Sequence, residues 1–333
     1  MHKRRVRYTG KHPRKFDEKY KERDPVKYAE TVAKVLASGK TPAGMHRPIM
    51  VAEILEVLAP QPGETVADCT LGFGGHAQEL LGKIAPNGKL IALDVDPIEF
   101  PKTEARLRGL GFGPDVFLPQ RSNFAGLAQV LAGKKVDMVL ADLGVSSMQI
   151  DDPSRGFSVK QEGPLDMRMN PQRGQPASAL LEKVSVAALE MMLTENSDEP
   201  HARELAPILA GKSFPTTKSL AKAIREALPR INKDDCDLSI RRVFQALRIS
   251  VNDEFSALDT FLRNLPMCLK PGGRVAIMTF HSGEDRRVKK AFEAGFRDGV
   301  YSDVAREVIR PTAAERNENS RSGPAKLRWA KRS

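Results

Sequence analysis

Cysteine is scarce in this sequence: three residues, Cys69, Cys236 and Cys268, are spread over 333 positions with no Cys-x-x-Cys pair. An odd, scattered set argues against a disulfide framework or a cysteine zinc site and fits a reducing, cytoplasmic setting. Long apolar runs are missing too. No window approaches the ~18 uninterrupted apolar residues of a membrane span, and no apolar stretch follows the basic N-terminus as a secretory signal requires. Neither His-Glu-x-x-His nor a dense His/Asp/Glu cluster occurs, so no metal is expected. Internal repeats are absent. What is present, 41% hydrophobic and 29% charged residues, is the composition of an ordinary globular protein with room for more than one domain.

The net charge of +11 is unevenly placed. Residues 1–44 carry 13 Lys/Arg against 5 Asp/Glu, and residues 310–333 carry 7 against 2. The body between them holds 33 against 35. Basic ends either neutralise phosphates of a nucleic acid or act as solvated tails.

Residues 1–44 predict a loosely ordered basic extension with one helix near Pro25–Ser38. A helical pattern begins at His46 and stops at Pro60 and Pro62-Gly63. Short Val/Ile/Leu-rich strands follow at Glu64–Cys69, Lys89–Asp96, Asp115–Pro119 and Val136–Leu143, alternating with helices, which implies a parallel sheet covered on both faces. Residues 145–175 read as an ordered loop, and Ala177 to Ile249 is helical only. A helix over Asp253–Leu269 and the turn Lys270-Pro271-Gly272-Gly273 lead into a fifth strand, Arg274–Phe280. The pattern is one α/β domain interrupted by a helical insertion.

The turn Gly72-Phe73-Gly74-Gly75-His76-Ala77 lies between the first strand and the next helix, where glycines let backbone approach a ligand. Alone it also satisfies a G-x-G-x-x-A dinucleotide pattern, so an NAD-dependent oxidoreductase is a rival. Asp94, ending the second strand, sits where an acid accepts hydrogen bonds from the hydroxyls of a nucleoside ribose. Asp68 separates the two readings: an acid ahead of the glycines suits the cationic methionine end of S-adenosylmethionine and repels a pyrophosphate. Asp142 ends the fourth strand and should face the same crevice. A carboxylate there can orient an exocyclic amine and stabilise charge developing on it. His281 follows the fifth strand and offers a proton acceptor or a structural hydrogen bond. Arg155, Arg168, Arg173 and the basic helix Arg241–Arg248 offer phosphate contacts or internal ion pairs.

Several blocks occur in order: Asp68-x-Thr70-x-Gly72-x-Gly74-Gly75-His76, Asp142-Leu143-Gly144-Val145-Ser146-Ser147-x-Gln149, Arg155-Gly156-Phe157-Ser158, and Gly163-Pro164-Leu165-Asp166-Met167-Arg168-Met169. Phe244 to Asn252 and Phe280-His281-Ser282-x-Glu284-Asp285-Arg286 complete the set. Together they resemble the MraW (RsmH) family of bacterial methyltransferases, which modify the N4 amine of a decoding-centre cytidine in small-subunit (16S) ribosomal RNA. The resemblance implies a class I (Rossmann-like) methyltransferase fold with an inserted all-helical domain. It places a discontinuous S-adenosylmethionine-binding domain at 45–155 and 250–333, after the extension 1–44, and a helical insertion on the RNA side at 156–249. It carries cofactor contacts to Gly74, Gly75, His76, Asp94, Phe124, Asp142 and Gln149; Asp142 and His281 are the catalytic candidates. Ribosomal RNA or the 30S subunit is the implied partner, with no membrane role and with monomer and homodimer both open. The chain departs from the family pattern at Gly283, where Leu is expected, and at Leu238–Arg242, where an Ala-Thr-Arg motif is usual.

Overall fold

Successive residues of each central strand enter opposite hydrophobic cores, as the two-residue period of an extended chain requires. The computed structural model describes residues 48–333; the extension 1–44, with its expected helix over Pro25–Ser38, lies outside them. Helix α1 (Val51–Leu58) precedes β1 (Thr65–Asp68), α2 (Gly75–Ile84), β2 (Lys89–Asp94), α3 (Phe100–Gly109) and β3 (Phe117–Arg121). Then come α4 (Leu127–Leu131), β4 (Val136–Asp142) and a short α5 (Ser147–Asp151). Five helices follow: α6 (Ala177–Lys183), α7 (Val186–Ser197), α8 (Ala202–Leu209), α9 (Thr217–Ala227) and α10 (Lys233–Asn252). Helix α11 (Glu254–Cys268) leads into β5 (Leu269–Thr279), and α12 (Ser282–Arg297), β6 (Tyr301–Val304), α13 (Ala313–Glu318) and β7 (Lys326–Arg332) complete the described chain.

The seven strands form one sheet in the order β3-β2-β1-β4-β5-β7-β6. Strands β1 to β5 are parallel, and β7 runs antiparallel to both β5 and β6. Ala67, Val139, Ala141, Val275 and Ile277 enter one core with Leu127 and Leu131 of α4, Leu258 to Leu265 of α11, and Val288 and Phe292 of α12. Their neighbours Val66, Met138, Leu140, Ala276 and Met278 enter the other, against Ile54 and Leu58 of α1, Leu80 and Leu81 of α2, and Leu107 of α3. Burial on both faces explains why these strands read as nearly continuous apolar runs. A third core, with members from Phe157 to Val251, is built by α6 to α10 and the loop before them.

The third strand forms two residues later than its apolar pattern predicts, pairing Leu90 with Phe117 and Asp94 with Arg121. The fifth begins at Leu269, because a register shift opposite Val136 and Met138 absorbs the Pro-Gly-Gly segment into the strand. Two further strands were not anticipated. Residues 326–332 (KLRWAKR) lie inside the sheet, hydrogen-bonded to β5 on one side and β6 on the other. Leu327 and Ala330 are fully buried there, and the charges that suggested a tail have partners: Lys326 and Arg328 both bind Asp285 of α12, at 3.0 and 2.6 Å.

Candidate active site

Five parallel strands put all their carboxyl ends on one edge, and the predicted site residues come from there: Gly74, Gly75 and His76 after β1, Asp94 at the end of β2, Phe124 after β3, Asp142 and Gln149 after β4, and His281 after β5. The turn after β1 is shaped by its own backbone and by α3. Gly74 is the N-cap of α2 with φ 76°, and a Cβ there would lie 2.9 Å from Thr103 Cγ2 and 3.1 Å from Leu107 Cδ1, so only glycine fits. Thr103 Oγ1 donates to the Gly72 carbonyl at 2.6 Å, and Arg106 donates to the Phe73 carbonyl while lying over the Phe73 ring. With those carbonyls drawn to α3, the start of α2, which has no side-chain cap, offers its first N–H groups to a ligand.

Around this turn the carboxylates converge. Asp94 Oδ2 accepts the Gly72 N–H at 2.7 Å and Oδ1 the Asp96 N–H at 2.9 Å, which fixes the carboxylate beside the turn. Burial raises its pKa, against the pull of those two amides. Asp68 is 1% exposed; Oδ1 accepts the Thr70 N–H at 3.0 Å, while Oδ2 has no hydrogen-bond partner. Burial, with the charge of Asp94 adding to it, pushes Asp68 up to about 7. Asp142 keeps 22% side-chain exposure, and Thr70 Oγ1 accepts its backbone N–H at 2.6 Å, tying the end of β4 to that of β1. Desolvation, then the charges of Asp68 and Glu284, hold Asp142 well above the ordinary carboxylate range. His76 Nε2 donates to the Ile49 carbonyl at 2.8 Å, and Nδ1 lies 3.5 Å from Asp142 Oδ2.

A second buried knot braces this edge. Asp96, 2% exposed, accepts the N–H groups of Ile98 and Glu99 on Oδ1, and Gln149 Nε2 and an Arg155 N–H, both at 2.8 Å, on Oδ2. Gln149 also accepts the Ser146 N–H at 2.9 Å, so its amide serves as a brace between α5 and β2. Arg155 reaches on to the carbonyls of Arg168 and Met169, and Asn252 at the end of α10 binds the Met169 N–H and the Met167 carbonyl. The loop is thus tied to the carboxyl edge of the sheet and to the helical core at once. Phe124 packs edge-on against Phe261, with ring centroids 5.5 Å apart.

His281 caps α12: Nδ1 accepts the Glu284 N–H at 3.4 Å, and Nε2 lies 3.3 Å from Glu284 Oε1, out of hydrogen-bond alignment. Burial raises the Glu284 carboxyl, but His281, Arg248 and the Phe280 amide outweigh it and hold the group below its usual value. Glu254, His281 and Glu284 bring donor atoms within 4.8 Å of one another, yet Arg248 grips both oxygens of Glu254 at 2.8 Å. A guanidinium in that position disfavours a metal ion. Of the arginines considered for phosphates, Arg155 binds Asp96, Arg168 binds Asp166 and Arg248 binds Glu254, so these three serve internal pairs. The departure at Gly283 also has a physical reason: a Cβ there would come within 2.6 Å of the Phe255 ring. Thr70, Asp96, Thr103 and Arg106 were not singled out from the sequence; only Thr70 and Asp96 lay inside motifs that could have drawn attention.

The glycine cradle, the acid beside it at a strand end and the unpartnered Asp68 oxygen fit a nucleoside cofactor with a cationic tail. The sheet order, with β7 antiparallel between β5 and β6, and this site define a class I methyltransferase that uses S-adenosyl-L-methionine. The chain belongs to the MraW methylase family, whose model matches residues 43–333. It is 52% identical over 337 residues to ribosomal RNA small subunit methyltransferase H 2 of Alkaliphilus metalliredigens, covering 98% of this chain and 97% of that protein. It is 51% identical to methyltransferase H 1 of Lachnoclostridium phytofermentans, over 99% of this chain and 93% of that protein, and 38% identical to methyltransferase H of Rubrobacter xylanophilus, over 86% and 96%. Among the described residues no helix is long and apolar enough to cross a membrane.

Asp68 should make cofactor affinity depend on pH. In the empty site burial favours its proton up to about 7, whereas a bound cation favours the carboxylate, so affinity should rise with pH through about 7 and level off above it. Titration calorimetry with S-adenosylmethionine at pH 6 and pH 8 checks this. Asp68→Asn should weaken binding by about tenfold at pH 8 and flatten the dependence. Stability should move the other way. A pKa raised above the unfolded 3.8 means that stability is lost between about pH 4 and 7, so Asp68→Asn should melt higher than the parent at pH 8.

Proposed function

We propose that this protein transfers a methyl group from S-adenosylmethionine to the N4 amine of a decoding-centre cytidine in small-subunit ribosomal RNA. The observation that carries the amine reading is the Asp142 carboxylate at the end of β4, partly exposed and 3.5 Å from the histidine of the glycine turn. The relatives named as small-subunit ribosomal RNA methyltransferases, aligned over nearly the whole chain, supply the class of acceptor. In this reading Gly74, Gly75, His76, Asp94, Phe124, Asp142 and Gln149 surround the cofactor, and residues 156–249, with their own core, form the RNA side. Residues 45–155 and 250–333 form the catalytic domain, and 1–44 add phosphate affinity. The protein acts in the cytoplasm, on free RNA or the 30S subunit, as a monomer or homodimer.

When bound, S-adenosylmethionine supplies a methyl group activated by a positively charged sulfur. Asp142 accepts an N–H of the amine, turns its lone pair toward the methyl carbon and takes up charge as the nitrogen becomes cationic. Thr70 keeps the carboxylate in place through the Asp142 backbone N–H. His281 orders the start of α12 and holds Glu284, whose charge keeps Asp142 basic. Mass spectrometry of small-subunit RNA from cells with and without this protein tests the assignment. Loss of N4-methylcytidine at the decoding centre is expected; an unchanged modification profile would rule the acceptor out.

A further inference from the structure

Methylating an exocyclic amine releases a proton, and a carboxylate that orients the amine holds it only briefly unless a second base relieves it. Two histidines follow strands at this edge of the sheet, His76 after β1 and His281 after β5. His281 is engaged with its own helix: Nδ1 accepts the Glu284 N–H, and Nε2 is buried beside the Glu284 carboxylate. His76 is placed differently. A carbonyl oxygen only accepts, so the 2.8 Å contact to Ile49 fixes the proton of the neutral ring on Nε2. Nδ1 then carries the ring's lone pair, and it lies 3.5 Å from Asp142 Oδ2.

We infer that His76 is the proton acceptor of the reaction, acting through Asp142. This rests on the proposal that Asp142 orients the substrate amine. The amine lone pair forms the C–N bond while the methyl–sulfur bond breaks, its electron pair passing to sulfur. The cationic nitrogen gives one proton to Asp142 Oδ2, and Asp142 passes it to His76 Nδ1. An imidazolium–carboxylate pair is left, which loses the proton to water once the products depart. The surroundings favour holding positive charge there. Asp68 faces Asp142 from β1 and Glu284 faces it from α12, with Asp94 beyond Asp68 on β2; Arg248, which acts on Glu284, is itself paired with Glu254. No covalent intermediate and no further reactant is required.

His76→Gln tests this, because its amide nitrogen can keep the bond to the Ile49 carbonyl while the acceptor at Nδ1 disappears. The readout is the single-turnover rate with RNA and S-adenosylmethionine both saturating, across pH, beside the dissociation constant for the cofactor. A loss of about 30-fold in rate is expected, below the 10²–10⁴ span of general base catalysis because Asp142 remains. The acid limb of the profile should move to lower pH, since activity no longer requires His76 to be unprotonated. The loss in the saturated rate should exceed the loss in cofactor affinity. If the loss lies entirely in cofactor affinity and the saturated rate and profile are unchanged, His76 is a binding residue and the inference fails. If the limb stays in place in His76→Gln, the proton does not pass to His76 and the inference fails. If Asp142→Asn turns over near the parent rate, the reading of Asp142 has failed, which is a separate outcome.

Discussion

Asp142→Asn should lower the saturated single-turnover rate by about 10²-fold, and Asp142→Ala by about 10³-fold. These losses match the removal of one preorganised group facing developing charge. The asparagine keeps an oxygen to accept the amine N–H, so orientation survives while the charge and the proton acceptor are lost; alanine loses all three. In both variants the loss in rate should exceed any loss in cofactor affinity, because the backbone anchor to Thr70 does not involve the side chain. Rapid-quench assays on small-subunit RNA or 30S particles, with calorimetry for the cofactor, make the comparison. Turnover near that of the parent in the alanine variant would remove Asp142 from the chemistry.

A comparable effect, on stability, is expected from Arg155→Met. Arg155 and Asp96 are 6% and 2% exposed and lie 2.8 Å apart. Taking away one partner strands a buried charge, which costs about 3–5 kcal/mol. Asp96 would keep Gln149 and two backbone amides, so the lower half of that range is expected, together with a melting point lower by roughly 10 °C. Cofactor affinity should fall with it, since the Asp96 N–H positions Asp94. Adding Asp96→Asn should restore part of the lost stability, because no buried charge then remains unpaired. A double-mutant cycle by thermal or urea unfolding measures the coupling, and additive effects would show that the pair is not a unit.

The strands that bury both faces were legible because their residues are apolar without interruption, and the turn was legible because glycines and acids were concentrated in a few positions. The helical stretch after β4 was equally plain from its periodicity. Strands β6 and β7 were not. In Lys326–Arg332 the charges that obscure the strand are answered by Asp285, which lies 41 and 43 positions away from Lys326 and Arg328. No local pattern carries that information. The same holds within the site. Asp94, Asp142 and the glycines could be placed by strand ends alone, but the use of Gln149 and Arg155 as braces depends on Asp96, and the difference between His76 and His281 depends on which carbonyl or amide each ring meets.

Between β4 and β5, neighbours in the sheet, lies the whole helical core: Ala141 pairs with Ile277 across it. The sheet therefore cannot close until a very long stretch of chain has brought its ends together. Loop closure costs only about 0.6 kcal/mol for each doubling of length, but it delays the event, and long-range pairings are slow. Helices α6 to α10 share a core of their own and can assemble before the sheet closes, which shortens the effective loop to the distance between their entry and exit. A cavity in that remote core, as from Leu220→Ala, would then slow the acquisition of activity during refolding even where the finished enzyme works normally. The insertion would be a chaperone in cis for the catalytic edge as well as a surface beside it.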